Sequence, residues 1–273
     1  MGRIFGTDGV RGIANGDLSI GLATNIGRAA GMVVEKETGR QPTFLVGKDT
    51  RISSDMLEAA ISAGLCSAGA NVIQIGVVPT PAVAYLVTRY GAQAGVMLSA
   101  SHNPYEYNGI KLFSGAGFKL RDEQEEEIER IVLDGERPYS IKSASEIGTI
   151  SFAARAADDY VDYLKTTLPG GLSGMRLAID CSNGSASVTA KKLFEGLGAE
   201  CTIFCAEPDG LNINWHCGST HIEELSRKVR MGSYDLGLAF DGDADRCLAV
   251  DENGALVDGD KLLALFAYHL KEQ

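Results

Sequence analysis

With 273 residues, 45% of them hydrophobic and 22% charged, the chain can bury a substantial core and reads as a globular protein. Its net charge of -11 excludes the basic face that a nucleic-acid backbone demands, so any anionic ligand has to be met by local cations. Six cysteines, Cys66, Cys181, Cys201, Cys205, Cys217 and Cys247, are scattered without a close CxxC pair and are expected as free thiols.

Taken in chain order, the opening residues MGRIFG contain no apolar signal core, and Gly6 stands where a myristoylation site requires Ser or Thr. A cytoplasmic protein with no membrane partner is expected. Periodicity predicts helices over 21–37 and 54–68 and strands over 43–47, 71–75 and 94–98. The uncharged stretch 59–88 has the length of a membrane span, but Gly64, Gly69, Asn71, Gln74, Gly76, Pro79 and Pro81 divide it into a helix, a short strand and a turn. The segment 122–145 opens with DEQEEEIER, which reads as a solvated helix face without chemistry.

Residues 148–152 then cross to a second unit, which begins near Ala153 with an amphipathic helix through Tyr160 and Leu164. Strands follow over 176–180, 200–204 and 235–239. This alternation predicts an α/β protein of two similar three-layer domains, over 1–152 and 153–256, with mixed, largely parallel sheets flanked by helices. A last helix over 259–271 carries Leu262, Leu263, Leu265, Phe266 and Leu270, which call for cover from its own unit or from another copy.

Two segments carry the chemistry. LAFDGDADRC places Asp241, Asp243 and Asp245 at alternate positions directly after an apolar strand, with Gly242 and Ala244 permitting a tight loop. Carboxylates so close repel unless a cation lies between them, and an oxygen-preferring divalent ion is the natural occupant. With Glu252 these residues also match positions 1, 3, 5 and 12 of a calcium EF-hand loop; against that reading, Arg246 stands at the position that requires Gly, and the flanks look like strands. The second segment, MLSASHNPYEYNGIKLF, exposes Ser101 beside small residues and next to His102 and Asn103. A hydrolase triad fails there because no G-x-S-x-G elbow is present and adjacent extended residues point to opposite faces. Cys201, Cys205, Cys217 and His221 loosely imitate a four-ligand zinc spacing, but the alternation in CTIFC predicts Cys201 and Cys205 as core residues on a strand.

FGTDGVRG (5–12), SASHNP (99–104) and DGDADR (241–246), in this order and spacing, resemble the motifs of the α-D-phosphohexomutases. FGTDGVRG and GLNINWHCGSTH (210–221) look most like the branch that acts on glucosamine phosphates. The resemblance implies that Ser101 carries a transferable phosphate. It implies further that Asp241, Asp243, Asp245 and a phosphate oxygen on Ser101 hold Mg²⁺, that Arg246 and Arg11 contact phosphate, that Lys111 is a general acid or base, and that His102 is an orienting neighbour. A lysine among other cations and a metal is expected to have a lowered pKa. Arg3, Lys48 and Arg51 stand equally well as phosphate contacts or as structural partners of Asp8, Asp49 or Asp55.

On this resemblance the chain interconverts glucosamine 6-phosphate and glucosamine 1-phosphate through a 1,6-bisphosphate, which also serves as activator, and forms a homodimer. A glucose or mannose phosphate is the alternative substrate, and a non-catalytic phosphate- or metal-binding module is the alternative class. Residues 1–152 then form the phosphoserine domain, 153–256 the metal-binding domain and 257–273 the opening helix of a third. Counterparts of the family's GEQSGH-like sugar motif and R-x-S-G-T-like phosphate loop are missing from the 273 residues, so the chain alone is expected to be inactive.

Overall fold

The computed structural model describes residues 2–135 and 142–272; the remainder of the 122–145 segment and Gln273 lie outside them. β1 (Val10–Ile13) is followed by α1 (Ile20–Thr38). The Ser19 side chain caps that helix by accepting the Leu22 N–H at 3.1 Å, and Gly39 ends it at φ 66°, a left-handed conformation suited to glycine. β2 (Thr43–Lys48), α2 (Ser54–Ser67) and β3 (Asn71–Val77) come next. α1 and α2 pack closely because both lack a side chain at the crossing: a Cβ on Gly27 would run into the Ile61 carbonyl, and one on Gly64 into that of Thr24.

α3 (Thr80–Arg89) replaces the turn expected around Pro79 and Pro81. Pro81 lies in its first turn, where the missing N–H has no intrahelical acceptor to lose, so the proline starts this helix. β4 (Ala94–Leu98), β5 (Tyr107–Ser114) and α4 (Asp122–Leu133) follow. α4 corrects the solvated reading of the acidic run: Gln124, Glu125 and Glu129 are buried, and Glu129 accepts the N–H groups of Ile4 and Phe5 at 2.7 and 2.8 Å. Its carboxylate thereby pins the N-terminal segment, and these bonds outweigh burial to hold its pKa below the usual value.

β6 (Ile150–Phe152) completes a six-stranded mixed sheet of order β1-β5-β4-β2-β3-β6. Period-two alternation divides it cleanly. Phe44, Val46, Val96 and Leu98 face α1, α2 and α4, while Leu45, Ile75 and Met97 face α3 and α5 (Ala156–Thr166). α5 thus buries Ala156 and Tyr160 on the first sheet, stacks Tyr163 on Tyr85 at 3.9 Å, and reaches the second unit through Asp158 and Lys192 at 2.6 Å.

The second unit contains β7 (Arg176–Asp180), α6 (Ala190–Gly196), β8 (Glu200–Phe204), α7 (Ile222–Gly232), β9 (Leu236–Phe240), β10 (Cys247–Asp251) and β11 (Leu256–Val257), in a five-stranded mixed sheet of order β11-β10-β9-β7-β8. Leu177 and Ile179 pack on the α6 side, and Ala178 and Ala239 on the α7 side, which makes the second set of three layers. Cys205 departs from expectation: it follows β8 at φ 48° and leaves the strand. α8 (Gly259–Glu272) exposes Leu263, Leu265, Phe266, Tyr268 and Leu270 and does not bury that stripe on its own unit. No helix among the described residues is long and apolar enough to cross a membrane.

Candidate active site

The site lies where the carboxyl ends of β4 and β9 meet. Beyond β4 the chain turns at Ser101, which is fully buried and not exposed as its sequence setting suggests, because the β9 loop closes over it; it sits at φ 55°, a conformation a non-glycine residue keeps only when its surroundings enforce it. Those surroundings are identifiable. Ser99 Oγ accepts the Ser101 N–H at 2.9 Å and donates to Asp49 at 2.6 Å. The Arg51 guanidinium donates to the carbonyls of Ser101 (2.9 Å), Asn103 (2.9 Å), Tyr107 (3.1 Å) and Pro104, and its Nε bonds Asp49 at 2.8 Å. Asn214 Nδ2, from the second unit, donates to the Ser101 and Asn103 carbonyls at 2.9 and 3.1 Å. The buried ion pair therefore decides the two readings of Arg51 in favour of structural pairing.

The β9 loop approaches from the other side. A Cβ on Gly242 would stand 2.5 Å from the Ser101 carbonyl oxygen, so the two loops can meet only with glycine there. Ala244 at φ 54° tightens the turn and brings one oxygen each of Asp241, Asp243 and Asp245 within 4.8 Å of one another. Ser101 Oγ donates to Asp241 Oδ2 at 2.6 Å. Asp243 Oδ2 accepts Thr80 Oγ1 at 2.6 Å and Lys111 Nζ at 2.7 Å, and the same ammonium reaches Asp245 at 3.2 Å and Asp8 at 3.0 Å. Asp243 Oδ1 is buried and has no hydrogen-bond partner among the described residues. An all-oxygen donor set with one buried oxygen left over fits a hard divalent cation. Strands β9 and β10 flank the loop, which removes the EF-hand reading.

The charges follow from this packing. Burial, reinforced by the charge of Asp243, pushes the Asp241 carboxyl up to about 6 against the help of the Ser101 hydroxyl. Burial acts in the same direction on Asp243, but Lys111 overcomes it and holds that carboxyl below the usual range. For Lys111, burial alone would lower the pKa as the sequence suggested, yet the carboxylates of Asp243, Asp245 and Asp8 outweigh it and raise the value. Without a metal the ammonium is thus surrounded by anions and holds its proton; the lowered value expected beside a metal would require a further cation among those anions.

The phosphate-contact candidates flank this centre. Arg246 NH1 lies 2.9 Å from His102 Nδ1, and its N–H donates to Asp241 at 3.2 Å. Burial, then the charges of Arg246 and Arg11, lowers the His102 pKa, so the ring is neutral at neutral pH. Arg11 bonds Asp8 at 2.5 Å, while its buried Nε has no partner among the described residues. Arg11 and Arg246 line an open cavity of about 670 Å³ together with Asp8 and Asp245. Of the other cations, Arg3 pairs with Asp134 rather than Asp8, and Lys48 pairs with Asp55 and Glu58.

Sequence reasoning missed Thr80, Asp8, Ser99 and Asn214 as partners of this site. Asp8 and Asn214 lie inside motifs it had singled out, FGTDGVRG and GLNINWHCGSTH, but Thr80 offers no local signal.

Residues 2–138 match the family model of phosphoglucomutase/phosphomannomutase alpha/beta/alpha domain I, and residues 158–254 that of domain II. The whole chain is 53% identical to a phosphoglucosamine mutase of Acetivibrio thermocellus, over 61% of that protein, and 53% identical to one of Clostridium beijerinckii, over 60%. It therefore spans about 60% of the length of the curated relatives it matches. Among solved structures, a phosphoglucomutase/phosphomannomutase family protein from Burkholderia thailandensis superposes with a TM-score of 0.83 at 28% identity, over 98% of this chain and 58% of that one. An Aspergillus fumigatus N-acetylphosphoglucosamine mutase in complex with GlcNAc-6P and magnesium shares the fold, with a TM-score of 0.54 at 17% identity over 95% of this chain and 53% of that one.

Proposed function

The chain belongs to the phosphoglucomutase/phosphomannomutase family, and from that premise we propose that it supplies the phosphoryl-carrying and metal-binding part of a phosphoglucosamine mutase. The observation that carries the proposal is the 2.6 Å contact that joins Ser101 Oγ to Asp241 inside the carboxylate cluster. Ser101 bears the phosphate. Its phosphoryl group passes to the C1 hydroxyl of glucosamine 6-phosphate: the O–P bond to Ser101 breaks, one to the C1 oxygen forms, the C1 hydroxyl proton ends on the serine oxygen, and glucosamine 1,6-bisphosphate results. After the sugar turns over, the serine oxygen takes the phosphoryl group from position 6, leaving glucosamine 1-phosphate, so the net reaction is an isomerisation.

Asp241, Asp243 and Asp245 would hold Mg²⁺, with a phosphate oxygen on Ser101 as a further ligand. When bound, magnesium supplies neutralisation of the charge on the transferring group. The chain's own residues do the positioning. Arg51 and Asn214 fix the carbonyls of the serine loop, Arg11 and Arg246 face the cavity through which an anionic group enters, and the neutral His102 orients Arg246. Lys111, held as an ammonium, keeps a proton at the site of transfer.

The glucosamine substrate rests on the 53% identity to phosphoglucosamine mutases along the whole chain. The reading includes a 1,6-bisphosphate activator and a homodimer, the latter checked by sedimentation. Turnover is tested by supplying glucosamine 6-phosphate or mannose 6-phosphate with magnesium and the bisphosphate, to this chain and to the same sequence extended to its relatives' length. The extended chain is expected to form glucosamine 1-phosphate in preference, and this chain alone to form none. Preference for mannose 6-phosphate would overturn the substrate assignment.

A further inference from the structure

We propose that Cys205, Cys217 and Asp180 form a second metal site, for a thiophilic divalent cation of the zinc type, separate from the carboxylate loop. The Sγ atoms of the two cysteines and one oxygen of Asp180 lie within 4.8 Å of one another. They come from three different segments. Asp180 is the last residue of β7, Cys205 leaves β8 at φ 48°, and Cys217 closes the connection that follows. This set differs from the spacing-based one: Cys201 points its thiol to the Ala199 carbonyl 3.8 Å away, and the His221 ring packs 5.6 Å from that of His216.

The groups around the three donors hold them in place. Asp180 Oδ1 accepts the Ser182 N–H at 2.8 Å and Oδ2 the Gly218 N–H at 3.0 Å, which fixes the carboxylate plane. Asn183 Nδ2 stands 3.9 Å from Cys217 Sγ, a weak N–H···S contact of the kind that supports a ligating sulfur. Cys205 is half-buried and the other two are buried, so the Cys205 side is the more open to solvent, and an ion held by three protein donors would leave a fourth position for water.

An ion bound here would displace the thiol protons of Cys205 and Cys217. Two thiolates and a carboxylate bring three negative charges, of which a divalent ion cancels two. Soft sulfur donors select such an ion over magnesium, which the oxygen-only loop prefers. Occupancy would tie the 206–217 connection to the ends of β7 and β8, and that connection carries Asn214, the donor to the Ser101 carbonyl.

The test is a Co²⁺ titration of the reduced, chelator-treated chain. A thiolate-to-cobalt charge-transfer absorption is expected to saturate at one equivalent and to be displaced by Zn²⁺. Cys205→Ser and Cys217→Ser should each abolish it, while Cys201→Ser and Asp243→Asn should leave it intact. Absence of the absorption in the wild-type chain, or its survival in both Cys205→Ser and Cys217→Ser, overturns the proposal. Should those variants fail to fold by circular dichroism, alkylation of the wild-type chain decides: Zn²⁺ must protect Cys205 and Cys217 together, and equal labelling with and without it overturns the site.

Discussion

The two buried ion pairs of the active site are built to opposite specifications. Arg51 and Asp49 are both fully buried, and the guanidinium spends its donors on four carbonyls and one carboxylate. In the pair of Lys111 with Asp243 the lysine faces three carboxylates, Asp243 keeps an oxygen with no hydrogen-bond partner among the described residues, and Asp241 beside it is driven toward protonation. A closed, satisfied network fixes geometry, whereas an open one with surplus negative charge is suited to receive a cation. The first half of the site positions Ser101; the second half is left to be completed.

That contrast breaks most visibly at Arg51. Arg51→Ala strands Asp49 and frees the serine loop, and loss of one partner of a buried pair costs roughly 3–5 kcal/mol. Chemical denaturation should show a loss of that order. A value near zero would mean the pair is not the anchor described. On the metal side, Asp243→Asn is expected to weaken Mg²⁺ binding in calorimetry by far more than it changes stability, the reverse of the Arg51 pattern. Equal affinity in the variant would remove the triplet as the site.

How much of this was legible in the sequence depends on whether the cause was local. The serine and aspartate loops stood out because each follows an apolar strand and combines small residues with a polar cluster that has no structural excuse. The two sets of three layers were readable from period-two strands and helical stripes. β1 and β5 escaped notice because β1 is only four residues long and β5 is buried over five consecutive positions, so neither alternates clearly. Thr80, Asn214 and the Arg51 bonds to the serine loop act across 50 or more residues of sequence, and no local pattern announces them. The three carboxylates that raise the Lys111 pKa in the absence of metal are likewise assembled only by folding. Glu129 looked like one more solvated acid until the N-terminal segment was placed against it.

The open half also predicts a pH dependence. Asp241 titrates near 6 in the metal-free protein, above the ordinary carboxylate value of 3.8. Its ionised form is therefore the disfavoured one, and below that pH protons compete with the metal. Mg²⁺ affinity should fall as pH is lowered from 7 to 5, by about tenfold for each pH unit below the titration point if one proton is displaced. Affinity that is flat across this range would place Asp241 outside the ligand set. A smaller effect sharpens the closed half: Asn214→Ala leaves the Ser101 and Asn103 carbonyls with Arg51 as remaining donor, and a loss of about 1 kcal/mol is expected in thermal or chemical unfolding. A loss as large as that of Arg51→Ala would shift the anchoring role to the second unit.

The central claim is that Ser101 is the phosphoryl carrier. It is tested most directly by the intact mass of the chain, taken after incubation with magnesium and glucose 1,6-bisphosphate and again after phosphatase, with peptide mapping of the difference. The account predicts one phosphate, located on Ser101 and absent from Ser101→Ala. Phosphate on Ser99 or elsewhere, or none at all, would contradict it.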